Sequence, residues 1–303
     1  MKKFLAPLTV ILIIFIGIST SCKERKTRTV EPEITFSVGE PDSTQADLPE
    51  EKREIFYGLL TPVEISQIFG RLGATYSPEL INDDGNGNDY LSSSKAALNL
   101  GVYGVDLSYL KMFNMNSEMV HYMIVVRSLS NKLGIPVDYL TDPINKLENN
   151  MSDADSVLIH VNTAYKRIED HLRLDGREST AGLMVLGGWI EALYIATELL
   201  IDTEEPDPEV VARIAEQKYT LNTLLSFLKN YYDDPVVVYY TKKLKFLKKY
   251  FDRFEIYFDK NDLEIDEENQ VLKASKSEMT ITKQNLTDIR NYAKKMREET
   301  VGI

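Results

Sequence analysis

Two stretches of this chain, 97–109 (ALNLGVYGVDLSY) and 183–194 (LMVLGGWIEALY), are apolar on nearly every side of a helix, and each carries glycine in its interior. A helix of that kind cannot lie on a protein surface; it belongs in the middle of a bundle or in a bilayer. Glu191 and Glu198 fall within the second helix, and acids are costly at bilayer depth, so a bundle interior is expected. Glycine inside a helix costs about 1 kcal/mol relative to alanine. Gly101, Gly104, Gly187 and Gly188 are therefore expected where neighbouring backbones approach closely. An offset of 85 residues aligns Leu98 with Leu183, Asp106 with Glu191 and Tyr109 with Tyr194, as a duplicated αα unit would.

The remaining chain is mostly of helical period. Thr61-Pro62 opens a short helix over 61–72, since a capping threonine precedes proline at the first helical position. Longer helices are predicted over 94–113, 117–133, 153–174, 180–201, 208–230 and 235–258, with a shorter one over 143–149. Gly134-Ile135-Pro136 and Asp175-Gly176 act as stops. Within 264–281, Val271-Leu272 and Met279-Thr280-Ile281 flank a polar run and suggest a β-hairpin. Thr282 then caps a last helix to about residue 299, with Leu286, Ile289, Ala293 and Met296 inward. The fold expected is a mostly α, single multi-helix bundle of about eight helices with a small C-terminal hairpin.

Residues 1–22 carry a different message. Lys2 and Lys3 precede the apolar run 8–18, which is short for a spanning helix, and Ser19-Thr20-Ser21 leads to Cys22, the only cysteine. This resembles the lipobox of bacterial lipoproteins, departing at Ser19 where an aliphatic residue is usual. It implies a signal peptide over 1–21 and acylation (palmitate-type chains) of Cys22. A signal cleaved near Ser21, or an uncleaved signal anchor, is the alternative. Residues 22–52 hold Pro32, Pro41 and Pro49 among acidic and hydroxyl residues, the composition of a tether. About thirty flexible residues reach roughly 30 Å, and the helical domain occupies 53–303.

Cleavage before Cys22 removes Lys2 and Lys3, moving the formal charge from −12 to −14. An acidic chain is a poor nucleic-acid binder and has no general attraction to anionic lipid. Membrane attachment must then come from acyl chains, more than one being needed for a stable hold. Lys23 follows the cysteine where some bacteria place an inner-membrane retention aspartate, so the outer membrane is favoured.

Asn99, Tyr103 and Asp106 share one stripe of the first apolar helix, and Glu191, Tyr194 and Glu198 share one of the second. If the helices are neighbours, Asp106 and Glu191 face one buried space, with Tyr109 and Trp189 nearby. Paired carboxylates in an apolar site can divide into general acid and general base. Alternatively they are satisfied structurally by Arg127, His121 or tyrosine hydroxyls. The histidines, His121, His160 and His171, lack metal-ligand spacing. The run 83–89 fails the calcium-loop pattern at Asp89 and Lys95 and reads as a turn. No metal, cofactor or catalytic motif is expected.

Lys242, Lys245, Lys249 and Arg253 form a cationic face opposite the stripe Tyr240, Leu244, Leu247, Phe251, Phe254 and Phe258, with Tyr239, Phe246, Tyr250 and Tyr257 flanking. It could meet lipid heads, a glycan phosphate or an acidic partner. The alternative is a solvated lysine face whose flanking aromatics are covered by the C-terminal segment.

Residues 95–109 and 188–194 resemble a family of predicted helical bacterial lipoproteins with no established activity. The resemblance implies a helical fold and envelope location without a reaction. The function expected is that of a membrane-anchored, non-enzymatic binding or assembly protein of the envelope, working with a protein or glycan partner. The alternative is a small-molecule or glycan-binding, even hydrolytic, protein with a pocket near Asp106 and Glu191.

Overall fold

The computed structural model describes residues 34–38, 75–149, 154–201, 208–258, 263–266, 271–274 and 277–302. The signal segment, Cys22 and the helix expected over 61–72 lie outside them. Eight α-helices are described: α1 (Ser93–Met112), α2 (Asn116–Lys132), α3 (Asp138–Asn149), α4 (Ala154–Leu174), α5 (Glu178–Ile201), α6 (Pro208–Leu228), α7 (Pro235–Phe251) and α8 (Lys283–Val301). Short 3-10 turns at Pro78–Leu80 and Asp84–Asn88 precede α1. The mostly α, multi-helix bundle expected from the sequence is the fold.

Local chemistry sets the helix ends. The side chains of Ser92, Asp234 and Thr282 accept hydrogen bonds from the first free N–H groups of α1, α7 and α8. Pro235 occupies the first turn of α7, where a missing N–H costs nothing. At the other ends, Gly134 and Gly176 take left-handed φ values of 69° and 70°, stopping α2 and α4 where the sequence places the breaks.

The central pair is α1 and α5, packed more intimately than any other two elements. A Cβ on Gly101 would stand 1.9 Å from the Met184 carbonyl oxygen, and one on Gly187 would stand 1.9 Å from the Leu98 carbonyl oxygen. The contact is reciprocal, and Val105 against Gly188 continues it with a similar offset in numbering. The two helices therefore run side by side in one direction. Around them, α2 and α4 flank α1, α8 and α6 flank α5, α3 pairs with α4, and α7 closes against α6 and α8. The length and composition of Glu178–Leu199 would suit a membrane span, yet 83% of its apolar window is buried inside the bundle.

Three expectations are corrected. Helix α7 ends at Phe251, not 258, and Glu255–Phe258 is strand β2. The aromatic stripe continues through Phe254, but Ile256 and Tyr257 favour extended chain and find a partner strand. The C-terminal hairpin is paired otherwise than expected. Leu263–Asp266 (β3) pairs with Val271–Ala274 (β4), while Ser277–Ile281 (β5) is the centre of a separate antiparallel sheet with β2 on one side. On its other side lies Ile34–Val38 (β1), from within the stretch expected to be tether, with Ile34 opposite Ile281 and Val38 opposite Ser277. The compact unit accordingly runs Glu33–Ile303.

Alanine at Gly101 or Gly187 is expected to destabilise the protein by about 1–3 kcal/mol or more, because the added methyl overlaps backbone that cannot move aside. Gly188→Ala meets its nearest atom only at 3.3 Å and should cost less. Urea unfolding of the three variants measures the order; equal midpoints would contradict the backbone contact.

Candidate functional site

The close approach of α1 and α5 brings the two acids together. Asp106 and Glu191 are both 0% exposed, and each lies near enough to shift the other's titration. Two carboxylates this close in a dry interior resist ionising together. Burial, followed by the nearby Glu191 charge, pushes the Asp106 carboxyl well above its usual range. Asp106 Oδ2 accepts from the Asn82 backbone N–H at 3.2 Å, and the buried Oδ1 has no hydrogen-bond partner. The direction of the shift favours the neutral carboxyl at Asp106.

Glu191 holds the charge. Burial raises its pKa on balance, against the lowering pull of the Arg297 guanidinium. Arg297, from α8, donates to both carboxylate oxygens through Nε (3.0 and 3.3 Å) and Nη2 (3.1 Å). Its guanidinium also lies over the Tyr194 ring, 4.9 Å from the centroid. One turn-pair further along, Arg290 makes a two-pronged pair with Glu198 at 2.8 and 2.9 Å. Glutamates seven apart on α5 thus meet arginines seven apart on α8, running in the opposite direction.

The sequence names the acids correctly but not their partner. Arg127 and His121 do not reach them: both are exposed, and His121 lies 3.5 Å from Asp84. Tyrosine hydroxyls serve the backbone instead. Tyr122 donates to Asn82 O, Tyr103 to Asp83 O and Tyr90 to Val301 O. Asn99 bonds Thr300 O, and Lys95 Nζ donates to the carbonyls of Glu299, Thr300 and Gly302, closing the C-terminus of α8 with a positive charge. Matching heptad spacing of Glu191/Glu198 with Arg290/Arg297 was the available signal for the missed residues.

Of the seven residues expected at one site, two therefore meet. Asn99 and Tyr103 tie α1 to the end of α8 and to the turn before α1. Tyr109 exchanges hydrogen bonds with Ser77, and Trp189 Nε1 donates to Gln217 on α6, so both face elsewhere. Tyr194 sits under Arg297. No grouping of His, Cys, Asp and Glu positioned to hold a metal occurs among the described residues.

The cationic face is divided too. Lys242, Lys245 and Lys249 are exposed, whereas Arg253 is bridged to Asp288 at 2.8 Å and stacks on Tyr250. Phe246 and Tyr250 pack against Tyr292 of α8, as the covered-aromatic reading expects, although Phe246 stays 44% exposed.

No protein family, curated protein or solved structure matches the chain.

Arg297→Met strands the Glu191 charge in the interior and is expected to cost about 3–5 kcal/mol. Asp106→Asn preserves shape and a donor and should cost far less, which chemical denaturation at neutral pH will compare. The pH dependence follows from the raised Asp106 value. Between the ordinary carboxylate range and that value the folded state binds more protons than the unfolded one. Stability from this group is therefore present in acid and falls as pH rises through that window, with a slope of up to about 1.4 kcal/mol per pH unit. Asp106→Asn should remove the slope; an unchanged slope would assign it to another group.

Proposed function

We propose that the protein is an exported, lipid-anchored protein of the bacterial envelope, whose helical domain serves binding or assembly rather than catalysis. The observation that carries the non-enzymatic part is the complete burial of both acids, with Glu191 held by Arg297 and Asp106 by the Asn82 N–H. A general acid and base must exchange protons with a substrate, and both carboxyls are 0% exposed. The dry, paired arrangement suits a device that fixes helix register. The pocket reading near Asp106 and Glu191 has no comparable support, because Tyr109 and Trp189 turn to other partners.

The anchor rests on the sequence of residues 1–22 and on the position of Cys22 where the apolar run ends. The strand at Ile34–Val38 supports a modified view of the tether. Only residues 23–33 separate Cys22 from the sheet, a span of at most about 40 Å when fully extended. The domain is held close to its membrane, and the outer membrane is the one proposed.

Acyl labelling of cells carrying the wild-type protein and Cys22→Ser tests the anchor. Label and membrane recovery are expected to disappear in the variant; retained label on Cys22→Ser would refute it. Crosslinking in intact cells tests the binding role, which predicts a discrete envelope protein or glycan adduct. Recovery of only uncrosslinked protein at native abundance would contradict it.

A further inference from the structure

Three lysines of α7 that have no ion pair among the described residues lie in one line. Lys242, Lys245 and Lys249 are spaced i, i+3, i+7 on α7, a stripe about 10 Å long. The other basic groups of this region are neutralised: Lys243 by Glu299, Lys248 by Asp252 and Arg253 by Asp288. Among the described residues no carboxylate lies within ion-pair distance of the three. Aromatic rings border them. Lys245 Nζ stands 5.7 Å from the Tyr232 ring and Lys249 Nζ 5.3 Å from the Phe246 ring, and both rings are more than two-fifths exposed. Basic stems beside half-exposed aromatics suit the headgroup region of a bilayer, where one end of a ring is dry and the other wet.

The sheet says where the chain from Cys22 arrives. Strand β2 begins at Glu255, a few residues beyond the last turn of α7, and pairs there with Thr280 of β5. On the other side of β5, Ile34 pairs with Ile281. Two strand spacings, about 10 Å, thus separate the entry of the N-terminal chain from the end of α7. Lys249 is in that last turn. An anchor at Cys22 would join the sheet at this end through residues 23–33, at most about 40 Å of extended chain.

We infer that the Lys242–Lys245–Lys249 stripe of α7, with Phe246 and Tyr232 beside it, is the face the domain lays on the anionic headgroups of its own anchoring membrane. This rests on the lipid-anchor reading given above and names the surface that reading leaves open. The net charge, −12 for the full chain and −14 without Lys2 and Lys3, does not oppose it, because headgroup contact is felt within about a Debye length and the stripe is locally unpaired. Each basic residue close to an anionic surface strengthens attraction roughly fivefold, so the stripe contributes on the order of a hundredfold. It sets orientation, while the acyl chains hold the protein.

Amine footprinting of the protein purified from membranes tests this. The protein is placed in phosphatidylcholine vesicles with or without phosphatidylglycerol, and acetylation of each lysine is followed by mass spectrometry. Lys242, Lys245 and Lys249 are expected to react several-fold more slowly when phosphatidylglycerol is present and to recover at high salt. Lys146 and Lys166, on α3 and α4, should not change. Equal rates in both vesicles, with Cys22 shown to be acylated by the mass of its peptide, would overturn the face and leave the anchor intact. Unacylated Cys22 with anionic-lipid protection of the stripe would remove the anchor and keep the face. Protection that persists in neutral vesicles or in detergent would mean a protein contact and overturn the proposal.

Discussion

The rest of the structure depends on the backbone contact between α1 and α5. Gly101 rests on the Met184 carbonyl and Gly187 on that of Leu98, leaving no room for a side chain between the helices. A few residues further on, that closeness puts Asp106 and Glu191 in one dry space. Two carboxyls so placed cannot both ionise, so one keeps its proton and the other requires a cation. The cation comes from Arg297, and with it a third helix is fixed against the first two. A single steric fact, the absence of a Cβ at Gly101 and Gly187, is thereby converted into an electrostatic lock across three helices.

The lock accounts for features that look functional when the sequence is read residue by residue. Asn99, Tyr103, Tyr90 and Lys95 are polar residues on or beside an apolar helix, and each ends on a backbone carbonyl of α8 or of the turn before α1. They complete hydrogen bonding where chain termini and irregular turns enter the interior, which buried backbone groups require. The chemistry inside the bundle is spent on holding it together.

Much of this was legible in advance, for a physical reason. Glycines within wholly apolar helices have few explanations besides close packing, and acids on such helices must find partners. The cap at Thr282 and the stops at Gly134 and Gly176 are local signals that local structure obeys. What escaped was non-local. Arg297 sits 106 positions from Glu191, and only the shared seven-residue spacing hinted at the match. Ile34, Phe36 and Val38 alternate with Thr35 and Ser37, a strand pattern hidden by proline-rich acidic neighbours. The aromatic residues after Phe251 kept a helical stripe although their backbone belonged to a sheet whose partner strand comes from the other end of the chain.

The most direct test of the central claim is the infrared spectrum of the folded protein at neutral pH, compared with that of Asp106→Asn. A protonated carboxyl buried in the interior has a carbonyl stretch separate from that of ionised carboxylates and slow to shift in heavy water. The account predicts one such band in the wild-type protein, resistant to rising pH until the fold is lost, and its absence in Asp106→Asn. A wild-type spectrum with no protonated carboxyl at neutral pH, or a band unchanged by Asp106→Asn, would contradict the neutral Asp106 and the lock built on it.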